Sequence, residues 1–221
     1  GVALGDVVAE VEKLISEYHI PDGVDLEVGG TVEDQGDAFG DLGVLFILIV
    51  ILVYIVMATQ FESLLFPFII MFTIPFAFTG VFLALWMTST PLSLIALIGA
   101  IMLVGIVTKN GIVMVDYMNL LVERGSGVFD AVIAGGKSRL RPVLMTSFTT
   151  ILGMLPLAIG TGAGSETWQP MGIAVIGGLT CSTLLTLFII PALYSVFVNR
   201  SQRKEKEKLA RLSAEHQASV H

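Results

Sequence analysis

The sequence predicts an all-α membrane protein with five transmembrane helices and a short α/β piece at its N-terminus. Of the 221 residues, 54% are hydrophobic and only 14% are charged, whereas soluble domains carry about 25% charged residues. Long intervals of the chain also contain no charged residue. A helix needs about 20 mostly apolar residues to cross a bilayer, and these intervals are long enough to supply them. These two observations exclude an ordinary soluble domain.

The uncharged intervals place the spans. Residues 42–61, 63–108, 142–165 and 167–199 contain no Asp, Glu, Lys or Arg. The second interval is long enough for two spans, and its polar break at Thr88-Ser89-Thr90-Pro91 is typical of a loop. Five spans are therefore predicted, near residues 42–60, 65–87, 92–118, 142–160 and 171–198. The alternative, buried helices of a large soluble core, accounts poorly for five such lengths in series.

The chain divides into three regions: residues 1–40 outside the membrane, a membrane domain over 41–199 and a charged tail over 200–221. In the first region, apolar residues between Val7 and Tyr18 recur at helical spacing, and residues 24–28 alternate like a strand. One helix and one strand cannot bury that apolar stripe unaided. The sequence is therefore expected to be part of a larger membrane protein.

The distribution of charge predicts the orientation. Residues 1–41 hold eleven acidic residues and one basic residue, whereas the loop 119–141 and the tail are rich in Lys and Arg. Basic residues mark the cytoplasmic side of a membrane protein. The N-terminal segment is thus expected outside the cytoplasm and the tail inside it. The tail itself is interpreted as a solvated helix without a specific role.

Lys109 is the strongest functional candidate, because it lies inside the third span with apolar residues on both sides. A lysine in a span costs about 2.5–3.5 kcal/mol on insertion scales, and such residues usually face the interior of a helix bundle. A low dielectric disfavours its ammonium unless a carboxylate lies close. The structural alternative is a lysine that snorkels or only pairs with another helix.

The carboxylate that would pair with Lys109 is not evident in the sequence. Asp116 is seven residues away, about 10 Å along a helix axis, so it is assigned to the cytoplasmic boundary, where Arg139 or Arg141 could meet it. Asn110 is a possible supporting polar residue beside Lys109. The pairing acid is therefore expected from outside these residues.

Small residues are predicted to let the spanning helices approach closely. The glycines assigned to helix packing are Gly99, Gly105, Gly111, Gly177 and Gly178. No metal site is expected from one cysteine and three scattered histidines. The glycine-rich loop 160–165 lacks the lysine of a nucleotide-binding loop. No nucleophile–base arrangement is evident, so an enzyme is not expected, nor a partner nucleic acid.

Three segments together resemble the C-terminal membrane half of resistance–nodulation–cell division (RND) exporters, in the hydrophobe and amphiphile multidrug branch. They are GIVTKNGIVMVDY from Gly105, RLRPVLMTSFTTILGMLPLAIGTGAGSE from Arg139, and IIPALYSVF from Ile189. The resemblance runs from about Gly1 to Arg200. It implies that the five spans are the last of twelve and that the N-terminal region ends a periplasmic porter domain.

The resemblance also implies a proton relay of Lys109, Thr146 and Arg139. From the residues alone, Thr146 would be a hydroxyl bonded to its own helix and Arg139 a cytoplasmic anchor. In the family, the lysine pairs with two aspartates of the N-terminal half, which are absent here. The implied protein is a homotrimer in the bacterial inner membrane, with a periplasmic adaptor and an outer-membrane channel.

The function predicted is therefore the C-terminal part of a proton-driven efflux transporter, an antiporter that exports hydrophobic or amphiphilic compounds. It would be driven by the proton-motive force without a cofactor and would be inactive as this fragment alone. Two alternatives remain open, a protein-export helper of the same superfamily and a truncated membrane fragment that does not transport.

Overall fold

The described part of the protein is almost entirely helical. A computed structural model describes residues 10, 11, 13–15, 31–160 and 165–219, with side chains for all of these except 31–35, 166 and 201–219. Residues 10, 11 and 13–15 are helical, and no strand occurs among the described residues. The strand predicted at residues 24–28 lies outside them.

Six helices follow in order, each long apolar segment satisfying its own backbone hydrogen bonds as a bilayer requires. They are α1 (Thr31–Phe61), α2 (Leu65–Met71), α3 (Ile74–Met87), α4 (Leu94–Glu123), α5 (Val128–Ile159) and α6 (Ser165–Ser219). Among the described residues, five segments are long and apolar enough to cross a membrane: Gly36–Phe61, Leu65–Met87, Leu94–Glu123, Val128–Ile159 and Thr167–Arg200. The described residues thus support an all-α membrane protein.

The second span is two helices rather than one. The chain turns at Phe72 and Thr73 between α2 and α3, and Pro75 follows in the first turn of α3. A proline has no backbone N–H, so it cannot continue the hydrogen bonds of the preceding helix. The hydroxyl of Thr73 instead donates to the carbonyl of Ile70 at 2.6 Å.

The fourth span differs from the sequence analysis, which starts it at Pro142. The structure has one continuous helix, α5, from Val128, with Pro142 inside it. Only one backbone donor is lost at Pro142, and neighbouring groups in a helix bundle tolerate that loss. Apart from Asp130, positions 128–136 hold apolar and small residues, and Val128 and Ala131 are buried against the rest of the bundle.

The close contact between α3 and α6 depends on small residues. A Cβ atom added at Gly177 would overlap the Cβ of Ala84 and lie 2.8 Å from the Gly80 carbonyl oxygen. A Cβ at Gly178 would overlap Leu103 of α4. Gly80 in turn faces Cys181. The spacing of four between Gly80 and Ala84 and between Gly177 and Cys181 brings two small faces together.

Of the other glycines assigned to packing, two lie at helix contacts and one does not. A Cβ at Gly99 would lie 3.1 Å from Met171, and one at Gly111 would lie 2.8 Å from Ile70. At Gly105, by contrast, a Cβ would have no neighbour within 4 Å. Gly105 therefore does not have the predicted packing role, because it lines a cleft.

Large apolar side chains fill the bundle near the α4–α5 turn. Met57, Ile70, Met118, Ile190 and Tyr194 are buried in one cluster. The Tyr194 hydroxyl donates to the Oδ1 atom of Asn119 at 2.6 Å. This bond joins α6 to α4 and gives the tyrosine's polar tip a partner, as a buried tyrosine usually requires.

Substituting Gly177 with Leu should destabilise the protein, because the side chain would force α3 away from α6. Overpacking of this kind costs about 1–3 kcal/mol. The measurement is thermal unfolding of the purified full chain in detergent. Gly153→Leu is the matched control, since Gly153 is exposed on α5 and a Cβ there meets nothing within 4 Å. Equal melting temperatures for the two variants would contradict the packing role.

Candidate functional site

An open cleft of about 390 Å³ lies between α4 and α5. It is lined by Met102, Gly105, Ile106, Lys109 and Asn110 of α4 and by Thr146, Ser147 and Thr150 of α5. Gly105 contributes to this open space because glycine has no side chain. The cleft therefore brings together Lys109 and Thr146, two of the three predicted relay residues.

Lys109 is the charged group of the cleft. Its side chain is exposed, whereas its neighbours Thr108 and Asn110 are buried. The Thr108 hydroxyl is engaged by its own helix, donating to the Val104 carbonyl at 2.8 Å. Among the described residues, no carboxylate lies within ion-pairing distance of Lys109. The lysine thus faces open space at the level of an apolar span, where a counter-charge would be strongly favoured.

Thr146 faces Lys109 across the cleft from α5. Its hydroxyl donates back to the carbonyls of Pro142 at 3.2 Å and Val143 at 2.9 Å, as hydroxyls in spanning helices commonly do. The donor of this hydroxyl is therefore used within α5, while its oxygen can still accept a hydrogen bond. The relay role of Thr146 remains a prediction.

No pattern in the sequence predicts a role for Ser147, which lies on the buried side of the same cleft. Its hydroxyl is 2.9 Å from the hydroxyl of Thr183 on α6, and both residues are buried. The spacing of α6 would have offered a signal, because Thr183 and Thr186 recur three residues apart within an apolar span. The pair fixes α5 to α6 directly behind Thr146.

Arg139, the third predicted relay residue, does not line the cleft. Its guanidinium carbon lies 4.6 Å from the centre of the Tyr117 ring, a distance typical of a cation–π contact. Its Nε atom is buried and has no hydrogen-bond partner among the described residues. Asp116 is exposed and forms no ion pair with Arg139 or Arg141, so the contact of Arg139 is with the aromatic ring instead.

The chemistry of the cleft is that of a single cation surrounded by hydroxyl and amide groups. Within residues 36–160, 165 and 167–200, no group of three His, Cys, Asp or Glu side chains is placed to hold a metal ion. A lysine ammonium offers three hydrogen-bond donors. The arrangement can bind a carboxylate that enters from a neighbouring helix and release it when that carboxylate is protonated.

Comparison with known proteins identifies the family of the chain. The sequence model of the AcrB/AcrD/AcrF family matches residues 1–198. The chain belongs to this family. The predicted resemblance to RND efflux transporters is thereby confirmed at the level of the family, which is one of membrane transporters.

The curated relatives of this chain are named for different biological roles. The swarming motility protein SwrC of Bacillus subtilis is 38% identical over 90% of this chain and 19% of its own length. The multidrug resistance protein MdtC of Proteus mirabilis is 36% identical over 94% of this chain and 20% of its own. The cobalt-zinc-cadmium resistance protein CzcA of Cupriavidus metallidurans is 38% identical over 94% and 19%.

The solved structures agree with the family assignment. A crystal structure of a heavy metal efflux pump superimposes with a TM-score of 0.79 at 31% identity, covering 90% of this chain and 20% of that chain. The chain thus spans about a fifth of the length of the relatives it matches. The names of these relatives refer to swarming motility, to multidrug resistance and to metals.

Removing one hydroxyl of the Ser147–Thr183 pair should cost stability, because the other is left buried without this partner. Ser147→Ala and Thr183→Val should each destabilise the full chain by about 1 kcal/mol. The double variant should cost less than the sum of the two, as expected for residues in contact. Thermal unfolding of the four proteins measures this coupling.

Thr149→Val is the matched control for that cycle. Thr149 is exposed on the same helix, and its hydroxyl bonds only to the carbonyl of Met145. Its substitution should change stability little, as for most surface positions. Strict additivity of Ser147→Ala and Thr183→Val would show that the pair contributes no mutual stabilisation.

Proposed function

We propose that this chain is the C-terminal membrane part of a proton-driven efflux transporter. The observation that supports the proposal is the shared cleft of Lys109 and Thr146, in which the lysine has no acid partner among the described residues. Such a lysine needs a carboxylate from another part of the transporter. Membership of the AcrB/AcrD/AcrF family is consistent with this arrangement.

In the proposed mechanism, the charge of Lys109 is alternately paired and unpaired. A carboxylate opposite the lysine stays ionised while the ammonium is close, because the opposite charge favours its charged form. When a proton binds that carboxylate, the ion pair is lost and α4 is free to shift relative to its neighbours. Inward movement of one proton supplies about 2.3 kcal/mol per 100 mV of membrane potential.

The remaining features of the proposal follow the family. The protein lies in the bacterial inner membrane with its N-terminal segment periplasmic and its basic tail cytoplasmic. It works as a homotrimer with a periplasmic adaptor and an outer-membrane channel, and the N-terminal half of the same transporter supplies the aspartates. Its cargo is hydrophobic or amphiphilic, and Arg139 takes part in the relay together with Lys109 and Thr146.

Replacing Lys109 should abolish proton-coupled export by the complete transporter. Lys109→Ala removes the charge that responds to the carboxylate, so we expect at least a 10-fold loss of export at unchanged protein level. The measurement is drug export from proteoliposomes driven by an imposed pH gradient. Lys137→Ala is the matched control, because Lys137 is an exposed lysine on α5 outside the cleft. Full activity of Lys109→Ala would overturn the proposal.

Export of metal cations is a second candidate function, favoured by the relatives named for metals. CzcA is 38% identical over 94% of this chain, no less than the MdtC relative, and the heavy metal efflux pump has the same fold over 90% of it. The proposed relay would be the same in both cases, because it moves protons and does not touch the cargo.

The two candidates differ in what the complete transporter removes from cells. We expect deletion of the gene to raise sensitivity to amphiphilic dyes and detergents and to leave sensitivity to Co²⁺, Zn²⁺ and Cd²⁺ unchanged. Growth inhibition by each compound, in the deletion strain and with the gene restored, measures this. Metal sensitivity that depends on Lys109 would establish the second function and keep the relay. Loss of protein secretion without either sensitivity would indicate an export helper.

A further inference from the structure

The contact between Arg139 and Tyr117 lies outside the Lys109 cleft, on the side of the α4–α5 turn. Tyr117 is eight residues after Lys109 on α4, and Arg139 is seven residues before Thr146 on α5, distances of about 12 Å and about 10 Å along the two helices. Since the helices are joined by the short turn 124–127, both residues lie between the cleft and that turn. The contact is therefore about 10 Å along the helices from Asn110 and Thr146, the residues that line the cleft on this side.

Beyond this contact the two helices pack closely. A Cβ at Gly135 of α5 would lie only 2.7 Å from the Cγ atom of Met118 on α4, and Met118 is fully buried. On the other side of the contact the helices separate around Lys109 and Thr146. Arg139 and Tyr117 thus lie between a closely packed part of the α4–α5 interface and the open cleft.

The contact of Arg139 with the Tyr117 ring differs from a salt bridge. A cation–π contact acts through the face of the guanidinium or its charge, whereas the N–H donors lie in the guanidinium plane. Arg139 makes no hydrogen bond to another described residue, and its Nε atom is buried. A carboxylate in place of Tyr117 would neutralise the arginine and occupy those donors. The ring leaves the positive charge of Arg139 without a neutralising carboxylate.

We propose that Tyr117 is a positioning residue for Arg139, because the ring of Tyr117 holds the guanidinium across the α4–α5 interface between the Lys109 cleft and the α4–α5 turn. The inference rests on the proposed function in one respect, that Arg139 takes part in the proton relay. Its new element is the tyrosine on α4, the same helix as Lys109. A shift of α4 during the cycle would carry the ring with it and so move the arginine.

The first test measures the position of Arg139 directly and does not depend on transport. Phenylglyoxal modifies accessible arginines, and mass spectrometry of the peptide containing Arg139 and Arg141 compares the two rates within one protein. Arg139 is half-buried and Arg141 is exposed, so Arg141 is an internal reference. We expect Tyr117→Leu to raise the relative modification of Arg139 about 5-fold. Tyr117→Phe, which keeps the ring, should leave it unchanged.

The second test measures export by the complete transporter in proteoliposomes. Tyr117→Leu should slow proton-driven export about 5-fold, and Tyr117→Phe should restore the parent rate because the ring and not the hydroxyl holds the arginine. Tyr54→Leu is the matched control, since Tyr54 is a half-buried tyrosine on α1 whose hydroxyl contacts only the carbonyl of Leu64. Tyr54→Leu should alter neither the rate nor the modification of Arg139.

The outcomes separate this inference from the proposed function. Unchanged modification of Arg139 in Tyr117→Leu overturns the contact, and parent-rate export by that variant overturns its functional role. Export by Tyr117→Phe as slow as by Tyr117→Leu would assign the effect to the hydroxyl and overturn the ring's role. Lys109→Ala is measured in the same vesicles, and its full activity would instead overturn the proposed proton relay itself.

Discussion

The close approach of α3 and α6 is the constraint on which the rest of the helix bundle depends. At Gly80, Gly177 and Gly178 no side chain larger than hydrogen fits without displacing backbone or a packed neighbour. In a bilayer there is little hydrophobic driving force between helices, so van der Waals contact between small faces has to stabilise their association. With α6 held in this way, α4 and α5 each pack on it, through Tyr194 and Asn119 on one side and Thr183 and Ser147 on the other.

Much of this fold could be predicted from the sequence, because a bilayer makes charge-free intervals informative. Each of the five predicted spans overlaps an apolar helical segment, and Thr88–Pro91 lies in the turn that separates two of them. The ends of the helices were less predictable, since a helix can continue into water. Thus α5 begins at Val128 and includes Pro142, while Pro75 helps to divide a predicted span into α2 and α3. The observed helix ends differ from the predicted ones because they depend on local backbone contacts, which a hydropathy pattern does not show.

The sequence predicts the charged residue of the candidate site but not the residues that surround it. Placing an isolated lysine in a span costs free energy, so Lys109 could be identified as a candidate from the sequence alone. Thr146 entered only through the resemblance to RND exporters, because a lone hydroxyl in a helix gives no signal of its own. The partnership of Ser147 with Thr183, 36 residues away, and the ring of Tyr117 above Arg139 depend on the rotation of helices about their axes. Small residues set that rotation through their contacts with neighbouring helices.

The hydrogen bonds around the cleft leave Lys109 with a definite choice of partners. The hydroxyls of Thr108 and Thr146 both donate to their own helices, so neither needs the lysine, but the Thr146 oxygen retains a free lone pair that can accept from it. Such a neutral acceptor is much weaker than a carboxylate. Under the proposed function, an ionised acid would therefore draw Lys109 away from Thr146. Protonation of that acid would let the ammonium turn back towards Thr146 on α5. The change of hydrogen-bond partner of Lys109 would then alter the separation of α4 and α5.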